Sequence, residues 1–148
     1  MVDAVTNEAL EQGTIVLEGV EPIREHIVST LRQMTEVGGV HNFLILEADP
    51  TRNYFVQFAT SCGGAVIQYE AVSDRYLSAP LTQAQRDELQ RLGWRRPTPR
   101  KWPNYFRLWS TLTDGDRQEL ADHALETLER VYAWRRDAPL RMKAHLDW

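Results

Sequence analysis

The sequence predicts a single α+β domain: an antiparallel sheet of four to five strands covered by helices, in the order helix, strands, helix, strand, helix. Three observations carry this. The apolar period switches along the chain from the helical 3.6 residues to the two residues of a strand, and back. The links between the period-two segments are short, which favours antiparallel neighbours. The chain has 148 residues, 43% hydrophobic and 26% charged, which suits one globular core with helices on a sheet face.

Each element has its own signal. Residues 1–19 show no convincing period and read as an N-terminal arm punctuated by Gly13 and Gly19. Pro22 suits a first helical turn, where its missing N–H is no loss. Ile23, Ile27, Leu31 and Met34 then paint one helical face. Phe43–Leu46 and Tyr54–Ala59 read as strands joined by the turn chemistry of Asp49-Pro50-Thr51-Arg52-Asn53. Ile67, Tyr69 and Ala71 alternate with Gln68 and Glu70, the pattern of a strand with one wet face. Residues 74–78 are expected to add a short edge strand.

Thr82 with Gln85 three residues on is a capping box opening a second helix. Gly93 closes that helix, which folds Trp94 back onto Leu89. A proline-rich loop precedes an aromatic strand from Tyr105 onward. Thr113 with Asp116 opens the last helix, with Leu120, Ala124, Leu128 and Val131 as its buried stripe and Pro139 as its end. Residues 20–136 are thus the expected domain, and 137–148 a C-terminal tail.

Charge and motif content narrow the function. Residues 1–50 hold nine acids against Arg24 and Arg32, whereas residues 89–113 hold six positive charges and no acid. Such asymmetry bears on partners rather than on fold. No glycine-rich phosphate loop, Cys-x-x-Cys or His-x-x-x-His pair is present, so no cofactor or metal is expected. Cys62 could act as a nucleophile only with a base such as His41, and is expected to be a dispensable turn residue. One cysteine, no signal-peptide pattern and no long apolar run point to a cytoplasmic protein off the membrane.

Residues 89–109 stand apart, with three of the five tryptophans and all six local positive charges. Arginine and tryptophan are frequent binding anchors, and guanidinium groups favour aromatic faces. The candidate partner-binding residues are Arg95, Arg96, Arg100, Lys101, Trp102, Tyr105, Arg107 and Trp109. Trp94 is expected to support the fold, and Trp102, outside any period, to be the exposed aromatic. In the strand, Phe106 and Leu108 share one face and Tyr105, Arg107 and Trp109 the other; one of the two faces core.

The pattern Leu89-x-x-Leu92-Gly93-Trp94-x-x-Pro97, followed by Pro103-Asn104-Tyr105-x-Arg107-x-Trp109, resembles the YbjN-type and type III secretion chaperone-like domains known as TY-chap domains. The resemblance implies a small bacterial domain that binds peptide segments of a client, commonly as a dimer, without a cofactor or catalytic residues. A non-enzymatic chaperone-like adaptor for a protein or peptide client, with a homodimer as the form the resemblance implies, is therefore the expected function. A nucleic-acid-binding module using residues 89–109 is the alternative, disfavoured by the acidic pI of 5.6. A small enzyme or small-molecule sensor comes third, for want of any motif.

Overall fold

The computed structural model describes residues 13–36, 42–61, 66–98, 100–109 and 113–146. In chain order the elements are β1 (Thr14–Leu17), α1 (Val20–Glu36), β2 (Phe43–Asp49), β3 (Tyr54–Ser61), β4 (Val66–Ala71), a 3-10 turn (Asp74–Tyr76), α2 (Gln83–Arg91), β5 (Tyr105–Trp109), α3 (Asp114–Val131) and β6 (Leu140–His145). The six strands form one antiparallel sheet in the order β1-β6-β2-β3-β4-β5.

The α+β class stands, with more strands than the four to five expected. The meander β2-β3-β4 is as read from the sequence. Asp49 Oδ1 accepts from the backbone N–H groups of Thr51 and Arg52 to fix its first turn. Three elements differ. Residues 14–17, read as arm, are a strand, and so are residues 140–145, read as tail; the two pair with each other, and β6 also pairs with β2. Asp74–Tyr76 is a 3-10 turn rather than an edge strand. The last helix stops at Val131, well before Pro139. Ala133 there takes a left-handed φ of 61°, and the Trp134 N–H reaches the Leu128 carbonyl at 3.0 Å.

The core lies between the sheet and the helices. Register aligns Leu44, Phe58 and Tyr69 across β2, β3 and β4 on one face, all fully buried. Against them pack Ile23, Ile27, Leu31 and Met34 of α1 and Leu120, Ala124, Leu128 and Val131 of α3, as their spacing predicts. Each of these side chains except Ala124 contributes about 1.5–3 kcal/mol on burial. Arg24 binds Asp122 at 2.7 Å, and Arg117, nearly buried, bonds Asp114 and Thr35, so ion pairs align α1 with α3. Among the described residues no helix lies over the other sheet face. Phe43, Ile45, Phe55 and Ala59 are half-buried there, and Leu108 is 50% exposed.

Candidate functional site: the β5 edge and its basic loop

Local chemistry builds this edge from the end of α2 onward. Both capping-box bonds between Thr82 and Gln85 start α2. At its end Gly93 takes φ +88°, the Trp94 N–H donates to the Leu89 carbonyl at 3.1 Å, and the Gly93 N–H to the Gln90 carbonyl at 3.0 Å. That is the paired closure expected of a C-terminal glycine. It sends Trp94 into the core, 4% exposed, with its ring 4.3 Å from that of Tyr69 and its indole N–H donating to Thr127 Oγ1.

The chain then doubles back. Arg95 and Phe106 exchange backbone hydrogen bonds of 3.1 Å each, and the Thr98 N–H donates to the Trp102 carbonyl at 2.8 Å. Residues 95–98 and 102–106 therefore pair like the two arms of a hairpin, with Arg100 and Lys101 near its tip. Asn104, buried, ties its base to the sheet: its Oδ1 accepts from the Ser73 N–H at 3.0 Å and its Nδ2 donates to Glu70 at 3.3 Å.

β5 is the sheet's outermost strand on this side. Because Phe106 turns its N–H and C=O toward Arg95, alternation turns those of Leu108 the same way, away from β4. Neither has a partner among the described residues.

The eight candidate residues fall into two groups. Arg95, Arg96, Arg100 and Lys101 are exposed, and among the described residues no carboxylate lies within 4.0 Å of their charged groups. Trp102 is half-buried rather than exposed, with its ring stacked on Phe106 at 4.4 Å and 10°. Arg95 lies over the Phe106 ring and Lys101 over the Trp102 ring.

Tyr105, Arg107 and Trp109 belong to the helix-covered face. Tyr105 is 9% exposed, and Trp109 packs half-buried against the core. Arg107 Nη1 lies 3.1 Å from His123 Nε2. That nitrogen is 2.7 Å from the Leu92 carbonyl, which can only accept, so Nε2 carries the proton. Nδ1 then accepts from the Tyr69 hydroxyl at 2.8 Å. Burial pushes His123 below the ordinary histidine pKa; the Leu92 carbonyl opposes this and the Arg107 cation adds to it. The imidazole is a neutral connector between α3, the sheet and the end of α2.

Two clefts flank the loop and share Pro97 and Tyr105. One, about 300 Å³, runs past Arg75, Thr98 and Pro103. The other, about 390 Å³, is bounded by Arg96 and the exposed side of α2 at Gln83, Arg86, Asp87 and Gln90. Asp74 in the first is engaged by Arg86 at 2.9 Å and by the Leu81 N–H. These contacts hold its carboxyl below the usual range against the opposing effect of burial, the largest single influence on it. Arg75 and Leu108 are the site residues that sequence reasoning missed. Arg75 sat in a segment read as strand, and the outward turn of Leu108 depends on which partner β5 takes.

His41 and Cys62, weighed as base and nucleophile, lie outside the described residues. Among the described residues no cluster of histidine, cysteine and carboxylate side chains could hold a metal, and no helix is long and apolar enough to cross a membrane.

A family model matches residues 23–145: TY-Chap3, the T3SS (YopN, CesT) and YbjN peptide-binding chaperone 3. The chain belongs to the TY-Chap3 family. No curated protein and no solved structure matches it. The TY-Chap3 match runs from α1 into β6, so the family segment reaches past residue 136, where the sequence reading put its end. TY-Chap3 is a family of non-enzymatic peptide-binding chaperone domains.

Proposed function

We propose that this TY-Chap3 domain is a chaperone-like adaptor that takes an extended segment of its client along the β5 edge. Arg95, Arg96, Arg100, Lys101 and Trp102 form the surface beside that edge. Tyr105, Arg107 and Trp109 support it from the helix-covered side.

The single observation behind this reading is the outward-turned N–H and C=O of Leu108 on an edge strand, next to a half-exposed leucine side chain. An extended peptide satisfies such groups by adding a strand, and side-chain pockets give the choice of partner. Exposed edges are usually blunted. Here the Arg95 bridge covers Phe106 and leaves the position two residues on open. The reading extends to a homodimer, supported by the half-buried apolar side chains of the helix-free face, and to a cytoplasmic setting, supported by the single cysteine in the sequence.

The test is a panel of labelled extended peptides titrated against the full chain and against Leu108→Pro. Proline is tolerated where an edge N–H faces outward, so the variant is expected to fold and to lose binding. A folded Leu108→Pro chain that binds the same peptides with unchanged affinity would refute the edge as the site. Sedimentation of the unliganded chain tests the dimer.

A further inference from the structure

We infer that the client segment taken at this edge is acidic, an Asp/Glu-rich stretch of a partner protein that runs on from Leu108 past the Arg95 bridge into the groove where the two clefts meet at Pro97. This rests on the peptide-binding reading above and specifies its ligand.

Several cationic side chains here lack a carboxylate partner among the described residues. Elsewhere arginines meet carboxylates, as Arg24 with Asp122, Arg86 with Asp74 and Arg141 with Glu47. Arg75 and Arg96 line the groove, and Arg100 and Lys101 stand at the tip of the loop that the groove flanks; none of the four has such a partner among the described residues. Arg95 extends the charge to the other side of the same loop, over Phe106. Two carboxylates line the clefts. Asp74 is held by Arg86, and Asp87 accepts from Gln83 Nε2 at 2.8 Å. Neither neutralises the free cations. Like charges gathered on and beside one loop repel one another, and a carboxylate-bearing segment relieves that repulsion while meeting fork-shaped donors suited to it. The floor is Pro97, Pro103 and Tyr105, which gives apolar contact between the charged positions.

The same surface disfavours a nucleic-acid strand. Single strands need free aromatic faces for stacking. Trp102 and Phe106 stack on each other, with Lys101 and Arg95 already over their rings. The chain carries a net charge of -4, and two aspartates line the clefts.

The experiment is fluorescence anisotropy with the full chain and four probes: a Glu/Asp-rich peptide, its Gln/Asn counterpart, a Lys-rich peptide, and a single-stranded DNA of matched charge. The variants are Arg75→Ser and the triple change Arg96→Glu, Arg100→Glu, Lys101→Glu, each checked by thermal melting. All four side chains are exposed, so melting is expected to stay unchanged. Single exposed pairs count for little, but four together give about a tenfold preference for the acidic over the neutral peptide. That preference is expected to fall several-fold between about 0.05 M and about 0.5 M salt as the Debye length shrinks. The triple variant is expected to lose it and to favour the Lys-rich peptide. Equal binding of acidic and neutral peptides, or a preference untouched by charge reversal, overturns the acidic client and leaves the peptide-binding reading standing. DNA bound more tightly than the acidic peptide also overturns it. No binding by any peptide overturns both.

Discussion

Trp94→Ala tests whether the glycine-capped end of α2 anchors the whole β5 edge. The Trp94 ring is 4% exposed and packs on Tyr69 and His123. Its indole N–H donates to Thr127 Oγ1, which itself donates to the His123 carbonyl. Truncation opens a cavity beside the largest buried rings and leaves a lone pair of Thr127 without its donor. Core tryptophan truncations cost about 3–5 kcal/mol. For a chain of this length each kcal/mol lowers Tm by about 2–4 °C, so the expected drop is about 6–20 °C. Trp94→Phe keeps most of the ring and loses only the indole bond and some volume, and is expected to cost about 1–2 kcal/mol. Circular-dichroism melts and urea titrations of the three proteins measure both. A Trp94→Ala protein melting within a degree or two of wild type would refute the anchoring role.

Further outcomes follow from the same geometry. Gly13→Ala is expected to cost at least about 2 kcal/mol: the added Cβ would lie 2.4 Å from the Ala144 carbonyl oxygen, and φ there is +84°. Normal melting of that variant would show that the β1–β6 pair is dispensable. His123 is neutral in the fold with its pKa lowered, so the unfolded chain binds the extra proton first. The stability that this neutral His123 confers is full above the unfolded value of about 6.5 and is lost as pH falls from there through the folded value, with a slope of at most about 1.4 kcal/mol per pH unit for this proton. Urea midpoints across that range check this, and His123→Gln is expected to flatten the curve; an unchanged slope argues against the assignment. Trp102→Ala is expected to cost about 1 kcal/mol through its stack on Phe106. Arg100→Ser with Lys101→Ser is expected to stay within about 0.5 kcal/mol, and a larger loss would mean that the loop tip is part of the fold.

The elements that announced themselves in the sequence carry their signals locally. Thr82 with Gln85 and Thr113 with Asp116 both form complete capping boxes, and Gly93-Trp94 closes α2 as read. Elements set by distant pairing were missed. β6 alternates buried Leu140 and Met142 with Arg141 and Lys143, but six residues behind a proline carry no sign of being slotted between β1 and β2. β1 has four residues and no alternation.

The face of β5 was open from sequence for a physical reason. Phe106 and Leu108 look like the core side, and a strand bearing Arg107 looks wet. The reverse holds: Arg107 stays half-buried on the helix-covered side with its guanidinium over the Trp109 ring, while Phe106 gains its cover from Trp102 on the helix-free side. A long charged side chain can lie on the core face when an aromatic neighbour takes its head, and no periodicity rule carries that information. It is also why the eight candidate residues split into an exposed rim and a buried support.

Hydrogen exchange of the full chain with and without a saturating Glu/Asp-rich peptide locates the bound segment. Slowed exchange is expected over β5 and the loop before it, strongest at the Leu108 amide, with β1 at the opposite edge of the sheet unchanged. Protection confined to β1, or none along β5 while the peptide is bound, would contradict β5 as the binding edge.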